Sequence, residues 1–128
     1  TCMVKKLHRI NFGNNMEEYK LAFRRALEKT MPYTDEIWED FSSYLVVDKF
    51  KRNEIIIDKG QIDNYLSVVA KGVVRSFVVK NGEEINFEFD FEDEFCSAYA
   101  SFISRTPSKF YIEAIEETYL ARIPFEVL

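Results

Sequence analysis

The sequence is short of the residues that break or staple a chain. Four glycines and three prolines in 128 residues argue against disorder or low complexity. The two cysteines, Cys2 and Cys96, stand far apart and read as two reduced thiols of a cytosolic protein rather than as a disulfide framework. No apolar run approaches the ~20 residues of a membrane span, and no secretory signal precedes the domain, so a cytoplasmic protein without membrane contact is expected. The one histidine, His8, excludes a histidine-rich metal centre and reads as solvated. No glycine-rich phosphate loop and no nucleophile elbow occur, and Cys96 beside Ser97 has no histidine within reach by sequence. The chain is therefore not expected to be an enzyme. Positive charge is also scarce: 17 Lys and Arg against 22 Asp and Glu give a net charge of −5, a poor balance for binding polyanions. Helix-turn-helix patterns and basic-aromatic stripes are lacking, so any DNA contact must come from residues beyond Leu128.

What is present points to one β-rich domain. The length buries roughly two thirds of the unfolded chain's surface, so neither metal nor disulfides are needed for stability. Aromatic residues make up 16%, with twelve Phe and seven Tyr, which suits a sheet core. The chain is organised around residues 72–91, where Asn81-Gly82 separates two alternating runs. Asn-Gly there predicts a type I′ hairpin, because both central residues need φ > 0. A two-residue loop sets Lys80 opposite Glu83. Continued outward, this register pairs Val78 with Ile85, Ser76 with Phe87, Val74 with Phe89 and Gly72 with Phe91 on one face. The other face would hold Phe77 with Asn86, Arg75 with Glu88 and Val73 with Asp90. Ile85, Phe87, Phe89 and Phe91 are thus expected to face the core, with Glu84, Asn86, Glu88 and Asp90 in solvent.

Before the hairpin, residues 17–29 predict a helix burying Tyr19, Phe23, Ala26 and Leu27. Pro32 ends it, and Thr34 reads as the N-cap of a second helix whose apolar stripe is Ile37, Trp38, Phe41, Tyr44 and Leu45. Short strands follow over 46–50, 54–58 and 64–70. After the hairpin, residues 96–103 predict one or two helical turns with Ser97 as the cap. Two more strands cover 109–114 and 118–123, and Pro124 suits the first turn of a further helix. Strands this short, with turn signals about every ten residues, mean a sandwich or barrel.

Residues 1–15 show no period and read as an N-terminal arm, part of it an artificial leader or a mis-set start before Met16. Basic residues gather in 1–31 and seven acids without a base in 83–94. These are read as a solvated helix face and a solvated strand edge, or else as a basic arm that touches nucleic acid or a partner.

Lys59-Gly60 after a strand, the 65–72 strand ending in Lys71-Gly72, Val74-Arg75, Asn81-Gly82-Glu83 and Phe95 leading into a short helix together resemble the cyclic-nucleotide-binding domain of Crp–Fnr type transcription regulators. The resemblance covers about residues 19–128. It implies a mainly β fold with flanking helices, an antiparallel jelly roll or double-stranded β-helix, whose short helix is a phosphate-binding cassette. It further implies that 16–128 is the sensor or effector domain of a homodimeric regulator, with a dimerisation helix from about 124 and a DNA-binding domain beyond 128. In the family a Gly-Glu pair near the cassette start holds the ribose, and an Arg about ten residues on neutralises the cyclic phosphate. Aligned on Pro107, those positions hold Ser97, Ala98 and Ser108 here. Both charged anchors are replaced, so cAMP and cGMP are not expected as ligands. The pocket is then filled by its own Tyr99, Phe102, Phe110 and Tyr111, or it takes another small effector. Candidate contacts for such an effector are Ser97, Ala98, Tyr99, Ser108, Lys109, Phe110 and Arg75. The alternative function is a stand-alone ligand-binding or protein-interaction module of the same fold.

Overall fold

The structure, a computed structural model, describes residues 8–10, 16–30 and 32–127. Most of the N-terminal arm, with Cys2, lies outside the described residues. Helix α1 (Met16–Thr30) buries Tyr19, Ala22, Phe23, Ala26 and Leu27, a stripe at three- and four-residue spacing. Helix α2 (Asp35–Ser43) starts at Thr34, whose hydroxyl accepts the Ile37 N–H at 3.2 Å. Its apolar stripe is narrower than expected: Trp38 is buried, whereas Ile37 and Tyr44 are exposed.

Among the described residues, seven antiparallel strands form two sheets. One has the order β1 (Val46–Phe50), β7 (Thr118–Pro124), β3 (Tyr65–Lys71). The other runs β2 (Ile55–Ile57), β6 (Tyr111–Ala114), β4 (Val74–Lys80), β5 (Glu83–Asp90). Alternation decides the layers. On β3 and β7, Val68, Ala121 and Ile123 join the cluster under α1, while Val69 and Leu120 belong to a second cluster. That cluster unites both sheets through Phe50, Ile57, Val74, Ile112 and Ala114. The result is the expected jelly-roll-like pouch, closed at one side by helix α3 (Tyr99–Ser104), which carries Phe102 into the interior.

The organising hairpin keeps its expected register only near the turn. Asn81 and Gly82 have φ of 54° and 81°, and the pairs Lys80–Glu83, Val78–Ile85 and Phe77–Asn86 form. A β-bulge then intervenes at Phe87, so that Ser76 faces Glu88, Arg75 faces Phe89 and Val74 faces Asp90. The expected pairs of Arg75 with Glu88 and of Ser76 and Val74 with Phe87 and Phe89 are absent. One extra residue inverts the alternation beyond it, which turns Glu88 and Asp90 to the face of Ser76 and Val74. The four apolar residues do not share a core face: Ile85, Phe87, Phe89 and Phe91 are 45–55% exposed on the edge strand.

Two smaller differences concern the ends. Pro124 is the last residue of β7, opposite Tyr65, and a 3₁₀ turn (Phe125–Val127) follows where an α-helix is expected to open. His8 is not solvated; it hydrogen-bonds to Glu54 and stacks on Phe50 with ring centroids 4.6 Å apart.

Candidate functional site

The pouch is built where the chain between β5 and α3 is laid along β3. Val69 N–H donates to Glu94 O at 3.0 Å, Asp93 N–H to Val69 O at 2.9 Å, and Cys96 N–H to Ser67 O at 3.0 Å. Ser97 is thereby held against β3. Its hydroxyl donates to Tyr65 O at 3.2 Å and accepts Ser67 N–H at 2.7 Å, so it is not a helix cap. The residue ahead of the helix is Ala98, which has no capping side chain. Its N–H is taken by Asp63, from the loop between β2 and β3, at 2.8 Å, while Asp63 also accepts Tyr65 N–H at 3.1 Å. Asp63 is 1% exposed, and burial raises its pKa against these donors and the charges of Arg122 and Arg105. At the other end of α3, Arg105 takes a left-handed conformation (φ 58°) and donates to Asp63 O and Phe102 O, each at 3.0 Å.

The remaining candidates divide. Ser108 is buried with every polar group engaged: its hydroxyl donates to Phe110 O at 2.7 Å, its N–H to Gln61 O at 2.7 Å, and its carbonyl accepts Gly60 N–H at 2.8 Å. Phe110 packs on the inner cluster and meets Phe87 edge-on at 5.0 Å. Lys109 is exposed, and Tyr99 is 63% exposed. Of the residues expected to fill the pouch themselves, Phe102 packs on Phe125 and Tyr111 stacks on Phe77, away from Phe110. Arg75 does not serve the pouch. It donates to Glu113 and Asn86 at 2.7 Å and to Glu84 at 2.8 Å, and its guanidinium lies 4.0 Å over the Phe77 ring. Ala98 and Phe110 thus meet at the inner cluster, whereas Ser97 is held by β3, Ser108 by Gly60, Gln61 and Phe110, and Tyr99, Lys109 and Arg75 lie apart.

Two features escaped the sequence reading. The first is a carboxyl pair. Asp90 shares a face with Val74 and Ala114, is 6% exposed, and its Oδ2 has no hydrogen-bond partner. Burial, followed by the adjacent Glu88 carboxyl and the charge of Glu94, pushes its pKa up to about 8. The Cys96 thiol is pushed up as well, by burial and then by Asp90. The signal that could have found this pair is a bulge at Phe87, for which the sequence has no glycine or other marker.

The second feature is a buried ion pair. Arg122 donates to Asp48 Oδ2 at 2.9 Å and to Ser67 Oγ at 2.9 Å, with its guanidinium 4.1 Å over the Tyr65 ring. Arg9 adds a bond to Asp48 Oδ1 at 2.7 Å. Arg122, Phe50, Ile57 and Tyr65 line a groove of about 620 Å³ beside β1 and β2, but this guanidinium is committed to internal acceptors.

Asp90 gives a stability prediction. A carboxyl whose folded pKa is raised retains, in the folded state, a proton that the unfolded chain releases. Its contribution is therefore complete below the ordinary carboxylate range and lost as pH rises through about 8. With a discount for nearby solvent, the loss between about pH 5 and about pH 8 is ~1–2 kcal/mol. Asp90→Asn is expected to remove that part of the slope, since its amide donates to Glu88. Urea denaturation of both proteins at the two pH values checks it. Equal slopes would count against the raised pKa.

Comparison with known proteins supplies the context. The family described as cyclic nucleotide-binding domain matches residues 47–128. No curated protein is significantly similar. Among solved structures, the regulatory domain of Toxoplasma gondii PKA, crystallised with cAMP, superposes with a TM-score of 0.76 at 13% identity over 92% of this chain and 44% of its own. The catabolite activator protein of Thermus thermophilus gives 0.67 at 21% identity, over 80% of this chain and 47% of its own. The sensor domain of the transcriptional regulator DNR from Pseudomonas aeruginosa gives 0.69 at 12% identity, over 88% and 74%. At such identities the likeness speaks for the fold. This chain spans less than half the length of the first two.

Proposed function

The chain belongs to the cyclic nucleotide-binding domain family, and we propose that it is the sensor or effector domain of a Crp–Fnr-like transcription regulator whose pouch no longer serves a cyclic nucleotide. Two of the similar structures come from transcription regulators or activators, which supports the regulatory setting. The observation that carries the ligand reading is the electrostatics of the pouch. By the resemblance Ser97, Ala98 and Ser108 stand at the anchor positions, and they bond within the protein, while Asp90 is buried on the face of Val74 and Ala114 with Glu88 exposed beside it. A phosphodiester placed there would lack the guanidinium that should compensate its burial, a difference of several kcal/mol. Each ~1.4 kcal/mol is tenfold in affinity.

In this reading, occupancy of the pouch shifts how α3 packs against whatever follows the 3₁₀ turn. Residues beyond Leu128 would supply a dimerisation helix and the DNA-binding element, so that the working unit is a homodimer. No helix among the described residues is long and apolar enough to cross a membrane. A second reading, an interaction module acting on a partner protein, is favoured by one observation: the exposed row Ile85, Phe87, Phe89 and Phe91 on an edge strand. Isothermal titration calorimetry with cAMP and cGMP tests the ligand reading. Only unsaturated heats are expected up to millimolar nucleotide, and saturable binding in the low micromolar range would overturn it.

A further inference from the structure

We propose that the outer edge of β5 is the docking surface for an extended segment of a partner protein, one that mixes lysine or arginine with large apolar residues and adds to the sheet as a further strand. This rests on the reading of the chain as an interaction module and is independent of what the pouch holds. β5 ends the order β2-β6-β4-β5 and pairs with β4 alone. Among the described residues no backbone group of 83–90 bonds to the main chain of any other element. An eight-residue strand with one side unpaired offers an incoming strand a row of N–H and C=O groups.

The side chains of this edge are unusual. Ile85, Phe87, Phe89 and Phe91 are 45–55% exposed along it, and an exposed row of large apolar groups marks an interaction site. The bulge spreads the row over both faces. Ile85 stands opposite Val78 and Phe89 opposite Arg75, three positions apart on β4 and so on opposite sides of the sheet. A strand laid beside β5 therefore covers apolar surface with both of its own faces.

Charge then selects the occupant. Glu83, Glu88, Glu92 and Glu94 are exposed, and none forms an ion pair with a described residue, whereas Glu84 is taken by Arg75 and Asp93 by Arg25. A second copy of this chain would bring the same acids against them, and like charges on neighbouring strands repel. A basic segment answers the carboxylates and gains the backbone bonds as well.

Fluorescence anisotropy with a labelled, end-capped peptide Lys-Val-Arg-Phe-Lys-Val-Arg tests this. Its comparators carry glutamate or serine at every basic position, or N-methyl groups at alternate residues. Saturable binding of the basic peptide below about a millimolar is expected, with roughly a tenfold loss on N-methylation and no binding of the glutamate analogue. Phe89→Ser, and the double variant Glu83→Gln with Glu92→Gln, should each weaken binding at least about threefold, whereas Glu36→Gln on α2 should leave it unchanged. Amide shifts in the NMR spectrum should gather on residues 83–91, and circular dichroism confirms that each variant folds. Equal binding of the serine analogue overturns the basic chemistry alone and leaves β5 as a partner surface. Shifts confined to other residues overturn the site. Dimers in sedimentation that Phe89→Ser dissociates make a second copy the occupant and overturn the proposal. A monomer that binds none of the peptides overturns the proposal and removes the support for the interaction-module reading with it.

Discussion

Gly72→Ala is expected to cost about 3 kcal/mol or more, seen as a large fall in the urea midpoint at unchanged slope. Gly72 joins β3 to β4 with φ of +107°, a region that L side chains rarely enter. Strain alone would cost about 1–2 kcal/mol. Space is the larger difficulty. A Cβ at this position would stand 2.4 Å from Thr118 Oγ1, 2.7 Å from Glu117 O and 2.8 Å from Thr118 Cα. Thr118 cannot step aside cheaply. It is fully buried at the start of β7, and its hydroxyl donates to Glu116 O at 2.8 Å and Val73 O at 3.3 Å. Gly82 provides the control, with φ of +81° but nothing within 4 Å of its added Cβ. Gly82→Ala should show the strain without the clash, at about 1 kcal/mol. Equal losses at the two sites would refute this account.

Arg122→Met is expected to destabilise the fold by roughly 3 kcal/mol, because it leaves Asp48 buried with part of its compensation gone. Arg9 stays bonded to Asp48 Oδ1 and keeps the loss from being larger. Asp48→Leu should be worse, since the Arg122 guanidinium would then lose its carboxylate partner and keep the Ser67 hydroxyl and the Tyr65 and Phe50 rings. The double variant Asp48→Leu with Arg122→Met is expected to regain much of either single loss, because neutral groups of similar volume carry no unpaired charge. A double-mutant cycle measures the coupling, and strictly additive losses would show that the two side chains act independently.

The sequence spoke clearly where local rules dominate. The stripe of α1, the Thr34 cap, strand β1 residue for residue and the turn at Asn81-Gly82 are each set by neighbours within a few positions. Strand spacing gave a sandwich or barrel, and the family resemblance implied the jelly roll. Long-range facts were not legible. Asp48 and Arg122 meet across 74 positions, and nothing near either residue announces the other. Ser97 looked like a helix cap because serine favours that place, but β3 claimed its hydroxyl, and Asp63, 35 positions upstream, took the donor at Ala98. Arg75 was expected to face Glu88, one residue from its true register, since strict alternation on β5 hides a bulge that only the pairing with β4 reveals. The same bulge misplaced Asp90, which read as solvated and is buried, while Glu84 and Glu88 are exposed as expected.

That inserted residue also governs how copies of this protein behave in a crowded solution. By dividing a row of four large apolar side chains and leaving it on an unpaired margin of the sheet, it creates a surface of the sort that seeds cross-molecular strand addition. Seven acidic residues between positions 83 and 94, without one base, give that margin a like charge on every molecule. Mutual repulsion thus guards what burial does not, and colloidal stability depends on those carboxylates remaining ionised.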